Sequence, residues 1–405
     1  MPRVLYIGPC NPESTVETRG LPSRNAAAFN RMLRLARGMG ASYRWNIQVV
    51  SAGVNLNIKR GKRVFARTEH HKLNDVAITV LPAILLPIVG FLMEPLIVAG
   101  WMLAALFSER PIAVVAYNAT IPHLLVGLLA KITLVPFVYD IEDVPTFASL
   151  RASKKHGLTR VIQEASWLFS SSIMKKLADA FIVPSVRFIS ELNLTGREKG
   201  KCLLVTGCVS VTPDQPTIAS LLRDKRPLRV LFAGKLESEH GFDLLLDAIQ
   251  RLDSDQAVAG RITFDLCGAL GKEFTTDDIP RRSHVRYHGY VSDTEYATLL
   301  QTADVALALQ KSSGLHAHSK TPSKAYEFLA AGKVLIGTSV GDLAELYPDN
   351  AIRLHPETGQ NLAAVLKAIV EHVDDFIPLA SRAIEYAFSN YSFEAVGERF
   401  AEKLP

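Results

Sequence analysis

Two short stretches of the chain bring groups suited to phosphate and to hydroxyls within reach of each other. In "RVLFAGKLESEHGFDLLLDAIQRL" a hydrophobic strand ends at Gly234, Lys235 follows at once, and an apolar helix begins after Gly241. Glycine lets the backbone approach a ligand, and a lysine at the carboxyl end of a strand can neutralise a phosphate, although many strand–turn–helix units carry the same residues for structure alone. The second stretch, "KTPSKAYEFLAAGKVLIGTSVGDLAEL", starts at Lys320. Thr321 can cap a helix whose first turn holds Pro322 and Ser323, leaving backbone N–H groups for an anion. Lys324 in that turn opposes the helix dipole and makes sense if an anion sits there. Glu327, four residues beyond Ser323, can accept two hydroxyl hydrogens from a vicinal diol such as ribose. A lone helical glutamate is usually just solvated. Here its neighbours supply the diphosphate half of a sugar nucleotide, and Gly332 closes the helix before the next strand.

Such groups must be held at strand ends, and the chain alternates strands with amphipathic helices almost throughout, the pattern of parallel sheets covered by helices. In the first half "RVLYIG", "NIQVVSAG", "AVVAYN", "PFVYDI" and "AFIVPS" read as strands, with helices over "SRNAAAFNRMLRLARGMG", "TIPHLLVGLLAKIT" and "VIQEASWLFSSSIMKKLADA". A Thr- and Pro-rich segment, "TGCVSVTPDQPTIASLLRDKRP", is the candidate linker. A second series runs through "LRVLFAGK", "ITFDLCG", "VRYHGY", "DVALALQ", "KVLIGTS" and "AIRLHP". At 405 residues the chain is too long for one ordinary core. The reading is an N-terminal Rossmann-like domain over 1–205, a second over 206–383, and a C-terminal helix over 384–405 packing back on the first. Two such domains face each other across a cleft, with ligands beyond the carboxyl ends of their strands.

Charge is divided unevenly. The first 200 residues hold 24 Lys and Arg against 13 Asp and Glu, whereas the rest hold 21 against 27. Basic residues bunch at Lys59 to Arg63 and again from Arg151, a pattern of a solvated surface or of one facing acidic lipid or a phosphorylated substrate. Nucleic acid is disfavoured, because the clusters lack interleaved aromatics and no binding module is visible. Between Val76 and Phe107 lies an apolar run interrupted by Pro82, Pro87, Pro95 and Glu94. No proline-free part reaches the roughly 20 residues of a membrane span. It reads as a strand ending near Pro82, a loop over 83–94 and a helix from Pro95, the loop being either core or a segment dipping into an anionic bilayer surface. The four cysteines show no metal or redox spacing, and "MPRVLYIGP" enters a strand directly with no signal peptide, so a cytoplasmic protein without metal or cofactor is expected.

Together the two opening stretches resemble the C-terminal domain of family 4 retaining glycosyltransferases, enzymes of α/β class with the GT-B architecture. The family pattern is a strand, Gly with Lys or Arg, a glycine-opened helix, then "PSKxxEyLAxGxPVI" and "GgxxEl". The likeness covers nearly all of 225–350 and is only architectural before that. It implies that Gly234, Lys235, His240, Ser323 and Lys324 hold the diphosphate and Glu327 the ribose. Gly289, Tyr290 and Val291 flank the base, "GTSVGDLAEL" closes the pocket, and Gly8 and Gly20 approach from the first domain. Asn118, with Asp140, Glu142 and Asp143, falls on the acceptor side. Lys235, Glu327, Asp140 and Glu142 are the residues closest to catalysis. Two positions depart from the family: Ser319 stands where many members have a glutamate at the donor sugar, and His240 where many have lysine. His316 and His318 lie near enough in sequence to take over sugar or phosphate contacts.

The carboxylates of "DIED" could serve as base, metal site, acceptor clamp or helix cap. The family implies no metal, front-face attack, and a leaving phosphate that helps to deprotonate the acceptor. The expected activity is transfer of a hexose from a nucleotide diphosphate sugar to a hydroxyl acceptor, with retention, the acceptor being a saccharide or a lipid-linked saccharide in cell-surface polysaccharide assembly. Alternatives are a nucleotide-sugar 2-epimerase, left open by Glu345 and the histidines near 316, and a non-catalytic sugar-nucleotide-binding subunit.

Overall fold

The strands expected from hydrophobic runs form two separate parallel sheets in the computed structural model. It describes residues 1–21, 26–43, 45–53, 64–142, 158–192, 194–211, 217–219, 226–258, 260–313, 317, 323–347 and 349–403. The chain divides into two units: the first takes Met1–Pro184, Leu192–Cys208 and Phe393–Pro405, the second Ser185–Glu191 and Val209–Ser392.

In the first unit the strands are β1 (Arg3–Ile7), β2 (Asn46–Ser51), β3 (Phe65–Ala66), β4 (Glu69–Leu73), β5 (Val76–Val80), β6 (Ala83–Ile84), β7 (Ala113–Tyr117), β8 (Phe137–Asp140), β9 (Ala180–Val183) and β10 (Cys202–Leu204). Eight make one sheet in the order β10-β9-β8-β7-β1-β2-β5-β4, while β3 and β6 pair separately. All pairs of the large sheet are parallel except β4 with β5. A parallel sheet is covered on both faces, so its strands are apolar throughout rather than alternating. In β1 and β7, Val4 to Ile7 and Ala113 to Tyr117 are all buried.

The helices here are α1 (Glu13–Arg19), α2 (Ala26–Tyr43), α3 (Pro87–Ser108), α4 (Ile121–Ile132) and α5 (Leu158–Leu177). After α6 (Val186–Glu191), which belongs to the second unit, the short α7 (Gly196–Lys199) returns to the first. Gly20 is the left-handed C-cap of α1, its N–H bonded to the carbonyls of Glu17 and Val16. That corrects its expected place beside a ligand to a helix-ending one.

The segment around Pro95 also departs from expectation. Helix α3 begins at Pro87, where the missing N–H costs nothing, and runs through Pro95 for 22 residues. The loop over 83–94 is therefore mostly helix. Its span Ile88–Ser108 is long and apolar enough to cross a membrane by length and composition. It packs on α4 and β6.

The second unit holds β11 (Leu228–Ala233), β12 (Ile262–Cys267), β13 (Val285–Gly289), β14 (Val305–Ala308), β15 (Val334–Gly337) and β16 (Ile352–Arg353). They form one wholly parallel sheet in the order β13-β12-β11-β14-β15-β16. Its helices are α8 (Phe242–Ser254), α9 (Asp293–Thr302), α10 (Ser323–Ala330), α11 (Gly359–Glu371) and α12 (Val373–Tyr391). Val230 and Phe232 face a core with α8 and α11, whereas Leu231 faces another with α10 and α12. This two-sided burial explains the unbroken apolar strand.

The last helix, α13 (Phe393–Lys403), belongs to the first unit and packs along α2. Gly38 permits the approach, since a β-carbon there would lie 2.9 Å from the Cys208 sulfur and 3.2 Å from Val396. Arg37 stacks on Phe393, 4.2 Å from the ring centre. Of the residues expected in the linker, those described include Cys208, which ends a segment of the first unit, and Val209, which begins one of the second.

Candidate active site

At the carboxyl edge of the second sheet the ladder continues past the strands. Gly234 N–H donates to Cys267 O at 3.0 Å, and Gly268 N–H donates to Gly289 O at 2.7 Å. A β-carbon on Gly268, whose φ is +134°, would fall 1.6 Å from Gly234 O, so only glycine fits between these turns. Lys235 emerges from this edge with its side chain 68% exposed, 4.0 Å from Glu237. His240 lies 3.8 Å from the other oxygen of Glu237. Exposed pairs of this kind hold their partners weakly, leaving the Lys235 ammonium available to a stronger anion. Gly241 then starts α8 at φ +77°.

Helix α10 supplies the second part. Ser323 is its exposed first residue, and Thr321 and Pro322 lie outside the described residues. At its far end Gly332 is left-handed (φ +65°), and the N–H of Lys333 donates to Phe328 O at 3.0 Å, closing the helix as its sequence suggested. Lys324 and Glu327 are joined by a residue the sequence reading missed. The Tyr296 hydroxyl on α9 donates to Glu327 Oε2 at 2.8 Å, and Lys324 Nζ sits 4.0 Å from the Tyr296 ring centre. Burial raises the pKa of the Cys267 thiol at the end of β12, against the opposing charge of Lys324. Lys324 therefore lies near enough to the end of β12 to act on that thiol. Beyond β13, Tyr290 is 81% exposed, an uncovered aromatic face next to Val291, which like Tyr296 packs against the core shared by α10 and α12. Lys324, Tyr296 and Glu327 form one cluster, and Lys235 and Tyr290 follow the ends of β11 and β13 in the same sheet: cations and a helix N-terminus suited to phosphate, a carboxylate to hydroxyls, an aromatic to a base. The "GTSVGDLAEL" segment is a short turn of helix over Gly341–Leu346, tied down where the Val186 N–H donates to Asp342 Oδ2 at 2.8 Å. His316, His318 and Ser319 lie outside the described residues.

The first unit has its own polar group at the carboxyl ends of β1, β7 and β8. Asp140 has no exposed surface. Arg31 of α2 donates to its Oδ1 at 2.7 Å, and the Tyr6 hydroxyl donates to its Oδ2. The Tyr117 hydroxyl donates to Glu142, whose backbone N–H is held by Asn118 Oδ1 at 2.9 Å. Burial raises the pKa of Tyr6 and of Tyr117, with Asp140 and Glu142 adding to the effect. Burial opposes the Arg31 charge, but Asp140 and Glu142 outweigh it and keep the guanidinium protonated. The expectation that Asp140 touches an acceptor is thus corrected: it is a covered anchor for Arg31 and Tyr6. Glu142 and Asn118 are nearer the surface, and Asp143 lies outside the described residues.

Beside this network, still within the first unit, lies a cavity of about 530 Å³. Gly8, Ser51 and Asn118 mark the strand ends in its wall, and α3, α4 and α5 contribute Glu94, His123 and Trp167. Gly8 is also fixed by packing, a β-carbon there meeting Met32 at 2.7 Å. Burial lowers the pKa of His123, whose Nδ1 is 3.0 Å from Asn118 O. No group of three or more potential metal ligands occurs among the described residues.

Comparison with known proteins matches part of the chain to a family. Residues 227–375 match the family described as Glycosyl transferases group 1. No curated protein sequence matches. Among solved structures, Anabaena HepE in complex with UDP and glucose is 15% identical with TM-score 0.64, covering 100% of this chain and 99% of that one. Sucrose-phosphate synthase from Thermosynechococcus elongatus is 14% identical with TM-score 0.61, covering 99% and 98%. The UDP-forming α,α-trehalose-phosphate synthase from Burkholderia xenovorans is 10% identical with TM-score 0.62, covering 100% of both chains. At such identities the likeness is one of fold. The cluster at Lys235, Lys324 and Glu327 lies inside the matched region, and residues 227–375 are a glycosyl transferases group 1 domain in a chain with the GT-B fold.

Proposed function

We propose that the protein is a retaining hexosyltransferase that uses a nucleoside diphosphate hexose. The observation that carries this reading is the Lys324–Tyr296–Glu327 cluster at the strand ends of the matched domain. Glu327 accepts from the ribose hydroxyls. Lys235, the α10 N-terminus and Lys324 take up the charge that grows on the diphosphate as the anomeric C–O bond breaks, with His240 beside them. The acceptor oxygen bonds to the same face of the anomeric carbon and passes its proton to the departing phosphate oxygen. Rate comes from positioning and from charge stabilisation that matures only at the transition state. HepE was solved with UDP, with UDP and glucose and with UDP-glucose, which makes uridine the first base to try.

The basic first half and the exposed apolar helix α3 favour a lipid-linked saccharide acceptor and a cytoplasmic protein working at an anionic membrane surface, in polysaccharide assembly. The test is incubation with UDP-hexoses, with and without a panel of soluble and lipid-linked acceptors, followed by NMR of the products. Transfer with the donor's anomeric configuration supports the reading. Epimer formed without acceptor favours the epimerase alternative, and binding without turnover across the panel favours a non-catalytic subunit.

A further inference from the structure

Helix α3 has two faces with different work. Phe91, Glu94, Pro95 and Val98 line the cavity of the first unit. On the other side Ile88, Leu92, Leu96, Leu103 and Phe107 are exposed. With Gly100 these form one stripe at helical spacing along a helix about 33 Å long. Glu94 is the single charged residue of the helix and it faces inward, so the outer stripe is purely apolar. Leu92 belongs to both faces: it lines the cavity and is 65% exposed. The cavity mouth and the exposed stripe are therefore continuous. The far end of α4 adds exposed Ile132, followed by Leu134.

Inside the cavity most polar groups are answered by the protein. Tyr117 donates to Glu142, His123 is held by Asn118, and Ser51 donates to Asn11 at 2.8 Å. Glu94 makes no hydrogen bond or ion pair with another described residue, although it lines the cavity. A carboxyl in the wall of an apolar space is matched by a hydroxyl, which donates to it. The volume lies in the range of small-molecule pockets and exceeds what one hydroxyl needs.

We propose that this cavity seats the hydroxyl-bearing head of an amphiphile whose hydrocarbon chain leaves past Leu92 and lies along the outer stripe of α3. The acceptor would then be a single lipid bound through head and chain together, which rests on the transferase reading above. Glu94 is its head-group residue and α3 its chain-binding wall. A water-soluble sugar would use the head groups but gain nothing from the stripe.

The experiment uses the full-length protein and methyl, hexyl and octyl β-D-glucoside, each below its critical micelle concentration, with binding read by calorimetry. A fully buried methylene strengthens binding by about fourfold, so octyl should bind at least about threefold more tightly than hexyl, and hexyl more tightly than methyl. Leu96→Asp with Leu103→Asp, both at exposed positions outside the cavity wall, should abolish that dependence on length and leave methyl glucoside unchanged. Glu94→Gln should weaken all three by a similar factor of about three or more. Equal affinities across chain lengths, or a Glu94→Gln protein that binds all three as the wild type does, would overturn the proposal. Flotation with phosphatidylcholine vesicles containing phosphatidylglycerol separates the sources: vesicle binding without the chain-length effect makes α3 a bilayer anchor and overturns the subsite. UDP stabilisation is measured on the same samples. Its loss would count against the transferase reading, while its persistence beside equal glucoside affinities would count against this inference alone.

Discussion

Replacing Arg31 with methionine removes the countercharge of a carboxylate that has no exposed surface. Among its described partners Asp140 would keep only the Tyr6 hydroxyl, and breaking a buried pair from one side typically costs about 3–5 kcal/mol because the remaining charge stays uncompensated. The Arg31 side chain is 13% exposed, so water gives little relief. Asp140→Asn removes the charge itself and should cost less, about 1–3 kcal/mol, through the loss of a charged hydrogen-bond acceptor. Combining the two changes should cost clearly less than their sum, since neither then strands a charge. The chain's three tryptophans, Trp45, Trp101 and Trp167, all lie in the first unit, so the fluorescence change in urea reports that unit's unfolding. UDP stabilisation, which depends on the second unit, should survive all three changes. An Arg31→Met protein that unfolds within 1 kcal/mol of wild type, or loses nucleotide binding with an unmoved transition, would refute the anchoring role of this pair.

Tyr296→Phe deletes the donor to Glu327 and should weaken UDP binding about 3- to 10-fold by calorimetry, with little change in thermal stability. Gly241→Ala puts a β-carbon 2.3 Å from Leu309 O at φ +77° and should cost about 2 kcal/mol or more, read by circular dichroism in urea. Burial raises the pKa of Glu94 to about 7 from 4.5, so between those values the folded protein holds the extra proton. Wild-type stability should therefore fall relative to Glu94→Gln by about 1–3 kcal/mol from pH 5 to pH 8. The other titratable residues of that cavity, Tyr117 and His123, are the same in both proteins. A constant difference across that pH range would contradict the burial of Glu94.

The strands are legible because parallel sheets demand continuous apolar runs, and the pairing of Lys324 with Glu327 is legible because the two are neighbours on one helix. Asp140 is not. Its partner Arg31 is 109 positions away, so nothing local distinguishes a covered acid from an acceptor clamp. Tyr296 lay on a polar helix without an obvious core face and acquires meaning only where α9 meets α10. In the sequence Pro95 reads as a helix start, whereas α3 tolerates it and begins at Pro87. Glu94 then reads as a break in an apolar run, and its inward position is evident only with the cavity behind it.

The second unit is proposed to bind a nucleoside diphosphate sugar through Glu327 and the cations beside it. Thermal unfolding in the presence of UDP, other nucleoside diphosphates and their hexose conjugates tests it most directly, on wild type and on Glu327→Ala. A ligand at one hundred times its Kd should stabilise the wild type by about 2.7 kcal/mol, and the same concentration should stabilise Glu327→Ala by less than about half as much. If no nucleotide stabilises the wild type, the donor site is contradicted; if the variant is stabilised equally, the role given to Glu327 is.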